Sequence, residues 1–278
     1  MTDTDKNENE NNEAKENIEA PKDDEVFLAP KEEETAEEDK DKKRRKINYN
    51  NLLTHDPKTK IEVLDNISGD KYDINFKIIV IGNSGVGKSC LTLKATQDIF
   101  KEDFASTIGF QFFSFHVKIN DKILKLQIWD TCGQEIYRSL ISSFYRNASL
   151  AMMVYAINSK ESFSHIETWL KEVKLQSNPD IKIFLIGNKA DLSEEREVSS
   201  EEAKQFKDES GIHFFNEASA KSGLNAQEVF VEAAKLLYSE HLKYKQRANK
   251  GNGHGGDVPV PVKINNNKGD RKQGGCCS

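Results

Sequence analysis

The sequence lacks any long hydrophobic run. No stretch approaches the ~18 apolar residues that a membrane-spanning helix needs. The opening residues, MTDTDKNENE, have neither the basic region nor the apolar region of a secretory signal. We therefore expect no membrane span and no export, and a chain that works in the reducing cytoplasm.

Cysteine is scarce. The four cysteines are Cys90, Cys132, Cys276 and Cys277. None has the paired spacing of a metal site, and a disulfide framework is not expected without an export signal. The last two, in the terminal GGCCS, are adjacent and need a separate explanation.

Large apolar residues are also rare at both ends of the chain, which carries a net charge of −6. The first 46 residues are acidic, rich in Asn, Glu and Lys, and end in KDKKRRK (Lys40–Lys46). Such a segment buries too little surface to offset its ordering entropy, so we expect residues 1–71 to form a disordered acidic extension. The basic cluster is either a nuclear or membrane address or a solvated charge run, and the second reading is favoured. Residues 246–278 are expected to form a flexible basic tail.

The region 72–245 shows the pattern of a folded domain, because short apolar runs alternate with helical periodicity. The runs that indicate buried strands are FKIIVIG (Phe76–Gly82), LAMMVYAI (Leu150–Ile157), IKIFLIG (Ile181–Gly187) and a shorter one at Ile212–Ser219. Helical patterns lie at about 160–175, 200–209 and 225–245. Two further strands flank a predicted hairpin turn at Asn120 and Asp121. This alternation predicts an α/β fold with a mostly parallel sheet flanked by helices.

GNSGVGKS (Gly82–Ser89) fits the phosphate-loop pattern G-x-x-x-x-G-K-[ST], between a predicted strand and a predicted helix. In such a loop the backbone N–H groups and the helix N-terminus face phosphate oxygens. Lys88 is expected to reach the β and γ phosphates, and the Ser89 hydroxyl to ligate Mg²⁺. The predicted phosphate-binding residues here are Gly82, Ser84, Gly85, Val86, Gly87, Lys88, Ser89 and Cys90.

GNKADL (Gly187–Leu192) predicts which base is bound. The Asp191 carboxylate can accept hydrogen bonds from N1–H and the 2-amino group of guanine. Adenine offers neither donor, and sites of this kind discriminate strongly. Asn188 and Lys189 are expected to support the base pocket.

Two further segments have the chemistry of a γ-phosphate sensor. In WDTCGQE (Trp129–Glu135), Asp130 is expected to hold Mg²⁺ through water, Gly133 to bind the γ-phosphate through its N–H, and Gln134 to orient the attacking water. In STIG, Thr107 is expected to bind the γ-phosphate and to complete the Mg²⁺ shell. Loops held by a γ-phosphate are released after hydrolysis, so the predicted output is a change of surface shape. The predicted catalytic residues are therefore Lys88, Thr107 and Gln134.

From about Tyr72 to Tyr244 the chain resembles the Ras superfamily, and the Rab branch in particular. The matching segments, in order, are FKIIVIGNSGVGKS, FASTIG, KLQIWDTCGQE, SSFYRNA, GNKADL and EASAK. The resemblance implies a six-stranded P-loop NTPase G domain with Mg²⁺-dependent GTP and GDP binding and slow GTP hydrolysis. It also implies a monomer controlled by an exchange factor, a GTPase-activating protein, a prenylation escort and a GDP-dissociation inhibitor, with no nucleic-acid partner.

The resemblance adds further residues at matching positions. Phe100 would cover the guanine edge, and Ser219, Ala220 and Lys221 match the SAK motif beside the base. Phe112, Trp129 and Phe144 match the aromatic triad that Rab proteins present to effectors. The departures are Cys132 for alanine, Ala218 for threonine, IGFQFF for IGVDF, and Ile136-Tyr137 for Arg-Phe.

The ending resembles the Rab C-terminus, in which a cysteine pair receives two geranylgeranyl groups. Metal binding by Cys276 and Cys277 lacks nearby ligands, a disulfide between neighbours is strained, and a C-a-a-X box would need its cysteine at Gly275. Two lipid chains anchor stably where one is marginal. The sequence thus predicts a prenylated regulator of vesicle and membrane traffic, on the cytoplasmic face of an intracellular membrane and cycling with the cytosol. A catalytically silent GTP-binding scaffold and a soluble signalling GTPase are the alternatives.

Overall fold

The structure is a computed structural model, and it describes residues 59–64, 71–102, 107, 109–133 and 144–250. The chain divides into two units, Met1–Lys46 and Ile47–Ser278, and all the described residues belong to the second. The predictions for KDKKRRK, Gln134, Ile136-Tyr137, Cys276 and Cys277 lie outside the described residues. The terminal extensions therefore stay predictions for residues 1–58 and 251–278.

The described part of the chain forms a twisted sheet with helices on both faces. Its strands are β1 Ile61–Leu64, β2 Ile74–Ile81, β3 Phe110–Ile119, β4 Lys122–Thr131, β5 Leu150–Ala156, β6 Lys182–Asn188 and β7 Phe214–Glu217. Its helices are α1 Lys88–Gln97, α2 Lys160–Ser164, α3 Ile166–Gln176, α4 Ser200–Ser210 and α5 Glu228–Lys250. None of these helices is both long enough and apolar enough to cross a membrane.

The strand order is β1-β3-β4-β2-β5-β6-β7. Strands β4, β2, β5, β6 and β7 run parallel, whereas β3 is antiparallel to both β1 and β4. The predicted hairpin joins β3 to β4, and Asn120 takes a left-handed φ of 53° in its turn. The predicted α/β fold with a mostly parallel sheet is confirmed.

The expected number of strands was wrong, because the described residues form a sheet of seven strands where the resemblance implied six. The additional strand, β1, lies inside the segment expected to be a disordered extension. Ile61 and Val63 pair with Ile119 and Val117 and pack against the core. Four residues are too few to show a clear period. Pairing with β3 fills an edge whose backbone groups would otherwise be unpaired.

The core consists of two clusters, one on each face of the sheet. Alternate residues of β2 divide between them, since Ile78 and Val80 belong to the first cluster and Ile79 and Ile81 to the second. Helices α1 and α5 contribute to the first cluster, and α3 and α4 to the second. Burial on both faces explains why β2 and β5 read as continuous apolar runs. The loops at the carboxyl ends of the parallel strands remain free to form a site.

Two helix boundaries differ from those predicted. The pattern at 160–175 forms two helices, α2 and α3, which meet at His165. Helix α5 continues to Lys250, beyond the expected end of the domain at 245.

Candidate nucleotide-binding site

The loop between β2 and α1 has a backbone that requires glycine at two points. Gly82 and Gly87 have φ values of 141° and 91°. A Cβ on Gly82 would lie 2.1 Å from the carbonyl oxygen of Val154, and one on Gly87 would lie 2.4 Å from Nδ2 of Asn188. The loop therefore lies against β5 and β6, and a side chain at either position would push it away.

Lys88 is the first residue of α1, and its side chain folds back over the loop. Its ammonium donates hydrogen bonds of 2.9 Å to the carbonyl oxygens of Gly82 and Asn83. The residue is only 6% exposed, and burial lowers the pKa of the ammonium to about 8 while the Asp130 carboxylate opposes this shift. A positive charge is thus held directly over the loop that a phosphate would enter.

Ser89, Thr107 and Asp130 bring three oxygen donors together. The hydroxyls of Ser89 and Thr107 are 2.7 Å apart, and the Ser89 hydroxyl also donates to Oδ2 of Asp130. Asp130 is fully buried, which raises the pKa of its carboxyl to about 6 against the opposing effects of Ser89 and Lys88. Its other oxygen, Oδ1, is buried without a hydrogen-bond partner.

This donor set fits Mg²⁺. The ion prefers oxygen ligands and keeps several waters and phosphate oxygens in its shell. The unpartnered Oδ1 of Asp130 is an acceptor that such a shell would satisfy. The described residues contain no cluster of three or more His, Cys, Asp or Glu side chains, so an ion here would depend on the two hydroxyls and on the ligand.

At the other end of the site, Asn188 connects three segments. Its Nδ2 donates to the carbonyl oxygen of Val86 at 2.8 Å, and its Oδ1 accepts from the N–H of Ala220 at 3.3 Å. The Asn188 side chain is buried. It therefore holds the phosphate loop and the SAK segment together from within, as a structural support for the base pocket.

Asp191 lies at the rim of the site and is exposed. Its Oδ1 accepts a hydrogen bond of 2.5 Å from the hydroxyl of Ser219, a fully buried residue. Ser219 thus orients the carboxylate. Lys189, between these segments, takes a left-handed φ of 63°.

A cavity of about 440 Å³ joins the two ends, a size typical of small-molecule sites. The predicted residues that line it are Ser84, Gly85, Gly87, Lys88, Ser89, Cys90, Phe100, Thr107, Gly133, Asn188, Lys189, Asp191, Ala220 and Lys221. Four others, Gly82, Val86, Asp130 and Ser219, are buried behind this lining.

Sequence reasoning missed Lys101, Glu102 and Leu192, which also line the cavity. Glu102 forms an ion pair of 3.0 Å with Lys221, so the segment after Phe100 meets the SAK segment over the cavity. The sequence around Lys101 and Glu102, which follow Phe100, does not indicate whether these residues line a cavity or lie in a solvated loop. Both side chains are more than half exposed, so this pair adds little stability by itself.

The aromatic triad is brought together on the surface. The Trp129 ring lies 5.5 Å from those of Phe112 and Phe144, between ring centroids. A fourth ring joins them, because Phe110 lies 5.2 Å from Trp129 and 4.7 Å from Phe144. Phe110 and Phe112 are 43% and 47% exposed, so this four-ring surface is open to solvent.

Comparison with known proteins agrees with this geometry. The family model of the Ras family matches residues 77–239. The chain is also 38% identical to the Ras-related protein RABA1c of Arabidopsis thaliana over 212 residues, which is 75% of this chain and 96% of that relative. Proteins of this family are GTPases that use GTP, GDP and Mg²⁺. The chain belongs to the Ras superfamily of small GTPases and is of the Rab type.

Proposed function

We propose that this chain is a GTP/GDP switch, anchored by prenyl groups, that regulates intracellular vesicle traffic, hydrolyses GTP slowly on its own and recruits effectors in the GTP state. The observation that carries the proposal is the single cavity into which the phosphate loop, the NKAD segment and the SAK segment all open. It has a buried cation at one end and an oriented carboxylate at the other, matching the two ends of a guanine nucleotide.

At the phosphate end, Lys88 exchanges its bonds to the loop carbonyls for bonds to the β and γ phosphates. The hydroxyls of Ser89 and Thr107, and the carboxylate of Asp130 through water, would hold Mg²⁺. The ion, when bound, neutralises charge on the phosphate oxygens. The N–H of Gly133 binds the γ-phosphate, and a Cβ at this residue would lie 2.4 Å from the backbone of Ser84, so only glycine allows that approach.

At the base end, Asp191 accepts from N1–H and the 2-amino group of guanine. Asn188 and Ser219 hold the pocket from behind, while the N–H of Ala220 and the side chains of Phe100, Lys189 and Lys221 surround the base. The N–H of Ala220 already bonds to Asn188 at 3.3 Å and shifts toward the guanine oxygen when the base enters.

Hydrolysis yields GDP and phosphate from GTP and water, with Gln134 orienting the water. We expect Gln134→Leu to slow single-turnover phosphate release about tenfold or more, because the apolar side chain cannot align the nucleophile. Affinity for a fluorescent GDP analogue should stay within a factor of about two, since no ground-state contact is lost.

Gln176→Leu is the matched control, because Gln176 is an exposed glutamine at the end of α3. Its phosphate release should equal that of the parent. A parent chain that binds GTP and releases no phosphate, even with an activating protein, would instead be the silent scaffold. Equal rates for the parent and Gln134→Leu would remove Gln134 from the mechanism.

Membrane attachment is proposed to depend on Cys276 and Cys277 together with the basic tail. Two prenyl chains give stable attachment, and basic residues add attraction to anionic lipid. The attached protein would act at the cytoplasmic face of an intracellular membrane and cycle with the cytosol through an escort and a GDP-dissociation inhibitor.

The anchoring proposal predicts that an N-terminally tagged chain marks one compartment in its own cells. A Cys276→Ser/Cys277→Ser chain should be diffuse. A diffuse parent would favour the soluble signalling GTPase.

The effector surface is proposed to comprise Phe112, Trp129 and Phe144. Its support is the contact of the half-buried Trp129 ring with the other two rings and the exposure of Phe112, because exposed apolar patches mark interaction sites. Thr107 and Gly133, which lie on the segments that contact the γ-phosphate, flank β3 and β4 and so connect this surface to the nucleotide.

A further inference from the structure

Asn83, inside the phosphate loop, is held by two side chains from outside the nucleotide site. Its Oδ1 lies 2.9 Å from Nε1 of Trp169, and its Nδ2 lies 2.6 Å from Nδ1 of His165. None of these three residues lines the nucleotide cavity. Asn83 and His165 line a neighbouring cavity, whereas Trp169 is buried in the core.

The chemistry of the three groups fixes their orientation. An indole N–H can only donate, so the carbonyl oxygen of the Asn83 amide must face Trp169. The amide NH₂ then faces His165, and Nδ1 of His165 must accept. The imidazole is therefore neutral, with its proton on Nε2, and turning the amide over would place donor against donor at Trp169.

The partners of Asn83 belong to the helical segment α2–α3, which packs on the core. His165 joins α2 to α3, and Trp169 follows one helical turn later. The backbone N–H of Trp169 donates to the backbone carbonyl oxygen of His165 at 3.1 Å. Trp169 is 1% exposed and lies in the core cluster on that face of the sheet. Asn83 is thus connected to an element that does not contact the nucleotide.

The backbone of Asn83 is part of the nucleotide site, although its side chain is not. Its carbonyl oxygen accepts the 2.9 Å bond from Lys88. A Cβ on Gly133 would lie 2.4 Å from its carbonyl carbon, so Gly133 packs directly on this peptide. A shift of Asn83 would therefore move both groups proposed to bind the β and γ phosphates.

We propose that Asn83, His165 and Trp169 form a positioning lock, here called the Asn83 lock, that holds the phosphate loop in its binding conformation and slows nucleotide release. The inference rests on the proposed function, because it assigns a role within the same guanine-nucleotide site. The lock touches no nucleotide and acts through the backbone of Asn83.

The test is release of a fluorescent GDP analogue from the full-length chain in the presence of Mg²⁺ and excess GDP. Asn83→Ala removes both side-chain hydrogen bonds. We expect release to accelerate about tenfold, because the net contribution of such bonds to holding the loop is on the order of 1 kcal/mol. Asn83→Asp should restore slow release. Its carboxylate accepts from Trp169, and it also accepts from His165 once the imidazole proton moves to Nδ1.

Val173→Ala is the control for simple loss of stability. Val173 is fully buried in α3 and belongs to the same core cluster as Trp169, but it is not one of the partners of Asn83. It should lower the melting temperature without accelerating release. Equal acceleration by Val173→Ala and Asn83→Ala, or release from Asn83→Ala within twofold of the parent, would overturn the lock.

A spectroscopic measurement reports on the lock directly. The chain has two tryptophans, Trp129 and Trp169, so its ¹H–¹⁵N spectrum contains two indole N–H signals, and Trp129→Phe assigns them. The Trp169 signal should move in Asn83→Ala and return in Asn83→Asp. An unmoved signal would contradict the hydrogen bond. Failure of the parent to bind any guanine nucleotide would refute the proposed function instead. That result is distinct from a failure of the lock, in which all the variants bind the nucleotide and release it at the same rate.

Discussion

Lys88→Ala is expected to lower the affinity for GTP and GDP by about 100-fold or more. The Lys88 ammonium is buried and is held over the phosphate loop by bonds to two loop carbonyls, which it exchanges for phosphate oxygens. A hydrogen bond involving a charged group contributes about 1.5–3 kcal/mol, and Lys88 is proposed to make two. A loss of about 3 kcal/mol corresponds to about a 100-fold change in dissociation constant. Titration calorimetry with GDP and Mg²⁺ measures it.

The control for Lys88→Ala is Lys94→Ala, in the same helix. Lys94 forms an ion pair of 2.7 Å with Asp98, the two side chains are 19% and 70% exposed, and a pair whose carboxylate is in solvent contributes little. The Lys94→Ala substitution removes one positive charge from α1 and leaves the phosphate loop unchanged. The affinity of this variant for GDP should equal that of the parent. Lys88→Ala binding within threefold of the parent would show that the buried ammonium does not contact phosphate.

Asp191→Asn is expected to change the base that the site selects from guanine to xanthine. The carboxylate accepts from two guanine donors, N1–H and the 2-amino group. An asparagine amide can accept from only one and places its NH₂ against the other. Xanthine keeps N1–H and carries a carbonyl oxygen in place of the amino group, so it matches the amide. Sites built on such hydrogen bonds discriminate by factors on the order of 10⁴, so the preference for GTP over XTP should invert.

Competition of GTP and XTP against a fluorescent nucleotide measures this inversion. Asp180→Asn makes the same chemical change at an exposed aspartate outside the cavity and should leave the preference unchanged. Ser219→Ala keeps the carboxylate but removes the hydroxyl that orients it, at 2.5 Å, so it should weaken GTP binding without admitting XTP. An Asp191→Asn chain that still prefers GTP would show that this carboxylate does not contact the base.

The agreement between sequence and structure is best where the signal is local. The phosphate loop was predictable because its glycine spacing sets the backbone conformation within eight residues, next to a strand and a helix that are themselves periodic. The hairpin at Asn120 and the buried runs of β2, β5 and β6 follow for the same reason. Phe112, Trp129 and Phe144 were named by resemblance, and their mutual contact is a result of the fold.

The structure adds contacts within the recognised motifs that residue type alone does not predict. Asn188, expected to support the base pocket, is buried and bonds to the carbonyl oxygen of Val86 and to the N–H of Ala220. Phe110, which belongs to the IGFQFF segment that departs from the family pattern, adds a fourth ring to the aromatic surface. Asn83 had no predicted role, because its partners lie more than eighty residues away.

The sequence by itself determined the order of the strands β2 to β7 and the motifs from which the chemistry of the site is predicted, because both depend on residue type at short spacings. The tertiary structure alone decided the hydrogen-bond partners of the Asn83 and Asn188 side-chain amides. It also decided that Ile61–Leu64 pairs with the edge of β3 and that α3 contacts the phosphate loop. Those choices depend on contacts between distant segments of the chain. They exist only once the sheet has brought the ends of its strands together.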